Sequence, residues 1–255
     1  MMFLRPRRFA NTGLTGAGPA TIVSSSVLAA TAGRRAVPAT FPVGVTPVNR
    51  LVFAFCWLAA WMAASVLQAG EFNPALKIGD PAPAWSNLPG TDDQTHSLAD
   101  LKDKDAVVVV FTCNSCPIAT DYEDRLIDFV RRHADTGRVA LVAINVNKIE
   151  EDSLPNMKKR AAAKHFSFPY LYDDSQKIAK DYGATYTPEF FVLDKNRRIA
   201  FMGGMDDNND PRLAKVNYLD PAVAAVLAGE KPQVAEAQAR GCMIRYDRKR
   251  RRKTP

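Results

Sequence analysis

The stretch from Val107 to Pro117 reads Val-Val-Val-Val-Phe-Thr-Cys-Asn-Ser-Cys-Pro, and it constrains the chain more than any other. An unbroken apolar, β-branched run reads as a strand buried on both faces, which belongs in the middle of a sheet covered on each side. Pro117 then opens a helix, because the N–H that proline lacks would have no intrahelical partner at that position. Cys113 and Cys116 therefore sit where a buried strand turns into a helix. Free N–H groups and the dipole at a helix N-terminus favour negative charge, so a thiolate is stabilised there. The Cys-x-x-Cys spacing lets both sulfurs close a disulfide across one turn, which is the chemistry of thiol–disulfide exchange.

The flanking sequence supplies the rest of such a sheet. Residues 78–85 form an extended, proline-punctuated entry, and 88–98 read as a hairpin with turn residues between two short strands. The central strand spans 106–111. A helix over 117–133 follows from the spacing of Ile118, Tyr122, Leu126, Phe129 and Val130. Residues 139–145 give a second strand without alternation, hence buried and parallel to the first. Ser153 and Pro155 start a helix through about Lys164, 168–172 form a short strand, and a helix over 176–182 ends at Gly183. A hairpin pairs 189–193 with 198–202, and a last helix over 220–228 ends at Gly229. This order is that of an α/β sheet with two antiparallel strands added at one edge.

The net charge of +7 is concentrated at the ends. Residues 1–70 hold six Arg and no acid, and residues 240–255 hold eight basic residues and one Asp. The segment between has 20 basic and 26 acidic residues, so the folding part is mildly acidic and offers no face for nucleic acid. Residues 1–49, rich in Ala, Ser, Thr, Gly, Pro and Arg, read as disordered, and a transit peptide shares that composition. Residues 50–70 run from Arg50 through an uncharged apolar stretch to small residues, the pattern of a signal peptide or an uncleaved membrane anchor. A buried core helix is the other reading of that run. The domain proper is expected over 71–230 and a basic tail over 231–255. Either membrane reading puts the domain outside the cytoplasm, periplasmic or extracellular, where a redox partner must supply or remove electrons. The block Arg248–Lys253 is either solvated or drawn to an anionic membrane surface.

Cys113-x-x-Cys116-Pro117 at a strand-to-helix turn, with Thr187-Pro188 opening the edge hairpin, resembles the active site of the thioredoxin fold. The entry at 78–83 and the helix inserted at 153–164 resemble its extracytoplasmic branch, the TlpA/ResA-like and AhpC/TSA (redoxin) proteins. The resemblance spans roughly 76–230 and implies a mixed sheet flanked by helices, with an N-terminal hairpin and a helical insertion. It also implies a cis Pro188 packed on the cysteines, Cys113 as the exposed attacking thiolate, and Cys116 as the shielded resolving thiol. Thr187 would pair through its backbone with an extended protein substrate bearing a disulfide or dithiol. No cofactor is implied.

Two proton-relay positions of that superfamily are not filled by acids here. Val107 stands where thioredoxin itself has a buried Asp, and Ala119 where the cytochrome-maturation branch has a Glu. Asp121, Glu123 and Asp124 read as a solvated face of the helix. The peroxidase pattern Pro-x-x-x-Thr-x-x-Cys is also missing, since Cys113 precedes Cys116 by three and Val110 precedes Cys113 by three. A peroxiredoxin-like alternative rests on Cys242, in Gly-Cys-Met-Ile-Arg, as a resolving thiol for Cys113 or Cys116. A structural disulfide in a binding domain is a further alternative. No metal is expected: there is no second Cys-x-x-Cys and no closely spaced His pair. The run 206–210 starts like a calcium loop, but Pro211 stands in place of the turn glycine, so it reads as a solvated acidic loop.

Overall fold

The computed structural model describes residues 70–247. Residues 1–69 and 248–255, which carry Cys56, nearly all of the expected leader and the basic block, lie outside the described residues. Among the described residues no helix is long and apolar enough to cross a membrane.

After the hairpin of β1 (Leu88–Pro89) and β2 (Thr95–His96) in chain order, the all-apolar run forms strand β3 (Ala106–Phe111), every residue of it buried. Its neighbours are β4 (Val139–Asn145), parallel, and β7 (Glu189–Leu193), antiparallel, so that Val109 faces Val142 on one side and Phe191 on the other. With β5 (Tyr170–Tyr172) and β8 (Ile199–Gly203) at the edges, the sheet order is β5-β4-β3-β7-β8. This is the thioredoxin fold.

Because successive strand side chains point to opposite faces, β3 feeds two cores. Val107, Val109 and Phe111 pack with Trp85, Tyr182 and Phe191. Ala106, Val108 and Val110 pack with Leu126, Phe129 and Met157, and with Leu219 of the last helix. Edge-to-face stacking of Phe111, Tyr182 and Phe191, at centroid distances of 5.1 to 5.8 Å, ties the first core together. Each such pair contributes roughly 0.5–1.5 kcal/mol beyond its buried area.

Helix α1 (Pro117–Asp121) and helix α2 (Glu123–His133) replace the single helix expected over 117–133. The chain turns at Tyr122, whose hydroxyl donates to Asp206 at 2.7 Å while the Arg125 guanidinium stacks 3.6 Å over its ring. Asp206 is buried and ion-paired to Arg125, so the loop expected to be fully solvated is anchored at its first residue. Glu123 departs from the solvated reading as well: it is buried and held by Arg160 through two hydrogen bonds of 2.8 and 2.6 Å. Asp121 and Asp124 are exposed.

Helix α3 (Leu154–Lys164), helix α4 (Lys177–Asp181) and helix α5 (Leu219–Ala228) complete the layers. Gly183 and Gly229 end the last two, as expected. The packed chain does not stop at residue 230. Met202 exchanges backbone hydrogen bonds of 3.0 Å with Ala235 and Ala237, and the chain then crosses to the short strand β6 (Tyr186–Thr187). There β9 (Cys242–Met243) pairs antiparallel with β6, and Ile244 enters the first core. Residues 235–247 thus form a strap over one end of the sheet. It is held mainly by backbone bonds, which leave no apolar period in the sequence.

Candidate active site

Strand β3 delivers Cys113, α1 begins at Cys116, and the Thr187–Pro188 peptide bond, which is cis, lies against both. The Cys113 Sγ sits 3.5 Å from Thr187 Oγ1 and 3.7 Å from Ser115 Oγ. The Cys116 Sγ is 3.1 Å from the Thr187 carbonyl oxygen and accepts the Ala119 N–H at 3.3 Å. Cys242 packs against the cluster that the two cysteines form with Ala119. The structure therefore brings together Cys113, Cys116, Thr187, Pro188 and Cys242, all five of the residues singled out in the sequence.

Two expectations fail in detail. Cys113 is not exposed: it is 3% accessible against 1% for Cys116. The Ser115 and Thr187 hydroxyls lie against its sulfur. Nor is the Thr187 backbone open to a substrate, because Thr187 is opposite Cys242 in the β6–β9 pair.

The loop between the cysteines is set by Asp152, a fully buried residue just before α3. Its carboxylate accepts the backbone N–H groups of Asn114 at 2.7 Å and Ser115 at 3.0 Å. It also accepts the Ser115 hydroxyl at 2.6 Å and the Asn147 side-chain amide at 3.1 Å. Asn147 in turn accepts the Arg245 N–H of the strap at 3.0 Å. Tyr170 donates to the Asn114 side chain at 3.1 Å. Both backbone amides between the cysteines are thus engaged by a carboxylate.

The charge distribution follows from these partners. Cys116 is held down to about 4, first by a hydrogen bond from the Cys113 thiol, and against burial by Cys242 and the Ala119 N–H. Cys113 is pushed up because it keeps the proton shared with Cys116, because it is buried, and because Asp152 adds like charge. Burial, and then the adjoining Cys116, push Cys242 up to about 11. The Thr187 carbonyl accepts a hydrogen bond from Cys116 in its neutral, thiol form.

Residues 78–202 match the model of the AhpC/TSA family. The chain belongs to that family. Two solved structures are similar along almost their whole length. One is a hypothetical protein from Sinorhizobium meliloti 1021, 33% identical, covering 69% of this chain and 97% of that one, with a TM-score of 0.64. The other is an uncharacterized conserved protein from Geobacillus kaustophilus, also 33% identical, covering 69% of this chain and 95% of that one, with a TM-score of 0.62. No curated protein matches the chain. Membership of the AhpC/TSA family, on this fold, makes the chain a thioredoxin-type redox protein. Cys113, Cys116, Asp152, Thr187 and Pro188 all fall inside the AhpC/TSA match, whereas Cys242 and the strap lie beyond it.

Asp152 and Asn147 were not legible as site residues. Glu150-Glu151-Asp152-Ser153 has the composition of a helix start, and that reading absorbs the acid. The available signal was Asn145-Val146-Asn147, a polar pair closing an otherwise apolar strand. Among the described residues no cluster of His, Cys, Asp and Glu is arranged to hold a metal.

Proposed function

We propose that the protein exchanges disulfides with other proteins through Cys113 and Cys116. The observation that carries this reading is a pair of buried cysteines, Cys113 and Cys116, whose sulfurs both lie against Thr187 beside cis-Pro188. In the reducing direction the shared proton passes to Cys116, and Cys113, now the thiolate, attacks one sulfur of a substrate disulfide. That S–S bond breaks, a Cys113–substrate disulfide forms, and the released substrate thiolate takes the proton from Cys116. The Cys116 thiolate then attacks Cys113, closing the Cys113–Cys116 disulfide and releasing the second substrate thiolate. Two electrons leave the dithiol, and a redox partner must return them.

Reduction of insulin disulfides with dithiothreitol as donor tests this. Activity is expected in the wild type and lost in Cys113→Ser and Cys116→Ser; equal rates in all three would overturn the reading. A thiol peroxidase is the second reading, favoured by the contact of Cys242 with Cys116. Peroxide consumption that stops in Cys242→Ser would put it first. The proposal also keeps the domain outside the cytoplasm, exported or tethered through residues 50–70, with the basic end drawn to anionic lipid. Fractionation of cells making the full chain, and vesicle sedimentation with and without anionic lipid, check those two points.

A further inference from the structure

The strand edge at Thr187, beside the cysteines, is where an extended substrate chain would pair, and in this protein the chain pairs there with itself. The register sets Cys242 opposite Thr187 and Met243 opposite Tyr186. The Thr187 hydroxyl also reaches the Cys242 carbonyl at 3.4 Å. Two glycines let the strap lie this close. A Cβ on Gly241 would fall 2.0 Å from the Thr187 carbonyl oxygen, and one on Gly203 would fall 1.9 Å from that of Ala237. Beyond β9, Gln176 is buried, donates to the Arg245 carbonyl at 2.9 Å and accepts the Asp247 N–H at 2.8 Å. Cys242, unlike the other two cysteines, is only half-buried, and it packs against the cluster that Cys113 and Cys116 form with Ala119, its thiol partner there being Cys116.

We infer that β9 is an internal substrate strand and that Cys242 is the direct exchange partner of Cys116. This rests on the dithiol reading above and extends it to a third redox cysteine. Starting from the Cys113–Cys116 disulfide, the Cys242 thiolate attacks the Cys116 sulfur. The Cys113–Cys116 bond breaks, a Cys116–Cys242 bond forms, and Cys113 leaves as a thiolate that takes up the proton Cys242 gave up. No electrons enter or leave, so no outside oxidant is needed for the step. The new bond fastens the strap over Thr187. A protein substrate can then pair with that edge only after β9 has left it.

The test uses the full chain in a Cys56→Ser background. The reduced protein is treated with one equivalent of diamide, free thiols are capped with iodoacetamide at once, and tryptic peptides are mapped by mass spectrometry. Cys242 lies on a different tryptic peptide from Cys113 and Cys116, so a link to it is read directly, and Cys113→Ser leaves Cys116 as its one partner on that peptide. The wild type is expected to give both the Cys113–Cys116 and the Cys116–Cys242 species, and Cys113→Ser to convert Cys242 almost completely to the Cys116-linked form. Gly241→Val, which unseats β9, is expected to lose the Cys116–Cys242 species and to reduce insulin severalfold faster than the wild type. Circular dichroism confirms that this variant is folded before it is scored. If Cys242 stays fully alkylated in both wild type and Cys113→Ser while the wild type reduces insulin, the inference falls and the exchange reading survives. If the Cys116–Cys242 link forms but the wild type reduces no insulin, the exchange reading falls and the internal partner stands.

Discussion

Strand β3 and the strap approach the same cysteines and are held there in opposite ways. β3 is fixed by side chains, with every residue buried between two apolar cores. The strap is fixed mostly through its own backbone, hydrogen-bonded to the backbone of Met202 and Thr185 and to the side chains of Asn147 and Gln176, and it has few core residues of its own, Ile244 chief among them. A segment anchored by side chains resists until the whole domain unfolds. One anchored by backbone bonds at an edge can open by itself, at a lower free energy. The scaffold under the cysteines is therefore rigid, and their cover is the separable part.

The largest effect should come from the core. Phe191→Ala removes a fully buried ring that stacks on Phe111 and Tyr182, at a cost of about 3–5 kcal/mol in urea unfolding. A cost below about 1 kcal/mol would undo the rigid half of the contrast. Ile244→Ala sharpens the other half. The deletion of a buried Ile costs about 2–5 kcal/mol where the whole fold responds. Here the strap should open first, so the urea midpoint moves less than for Phe191→Ala. Amide hydrogen exchange at 242–244 should speed up while that of β3 stays protected. Uniform acceleration in both segments would show that the strap is no separate unit.

Asp152→Asn should cost about 1–3 kcal/mol, because its oxygen can keep the two backbone N–H groups but its amide nitrogen then meets the Asn147 amide, donor against donor in a buried site. It should also move the alkylation profile of Cys113 to lower pH, since the Asp152 charge helps push that thiol up. An unchanged profile would leave Asp152 a purely structural part. The pH dependence has a definite sign. Cys116 lies near 4 in the folded protein against an ordinary value of 9.0, so the folded reduced form binds fewer protons than the unfolded chain between those values. Its stability relative to the disulfide form should fall as pH is lowered from 9.0 towards 4. Cys113 and Cys242, both shifted upward, add nothing over that window. Thermal unfolding of both forms across it checks the direction.

Tyr182→Phe should have the smallest effect. The Tyr182 hydroxyl is buried without a hydrogen-bond partner among the described residues, and removing it should stabilise the domain by up to about 1 kcal/mol. A loss of similar size would mean that the hydroxyl is satisfied in solution.

What the sequence made legible follows the same division. The Val107–Phe111 run, the strand at 139–145 and the glycines after α4 and α5 each carry a local signal, and each element lies where it was expected. Cys113, Cys116, Thr187 and Pro188 were legible because their spacing resembles a known site. The break at Tyr122 was not, since it depends on Asp206 and Arg125 meeting one ring. Asp152 was hidden because nothing local distinguishes a helix-starting acid from one reaching back to another loop. The strap reads as a tail in the sequence because backbone pairing leaves no period, and its local signs are Gly241 and Cys242 alone.

Asp152 has a bearing on transplanting this site. The donors it accepts, the Asn114 and Ser115 amides, are 38 and 37 positions away along the chain. A graft of Cys-Asn-Ser-Cys into another thioredoxin-type scaffold would carry those amides and leave their acceptor behind. Its cysteines would take on the acidity of the host, so redox engineering from this protein has to borrow from two loops at once.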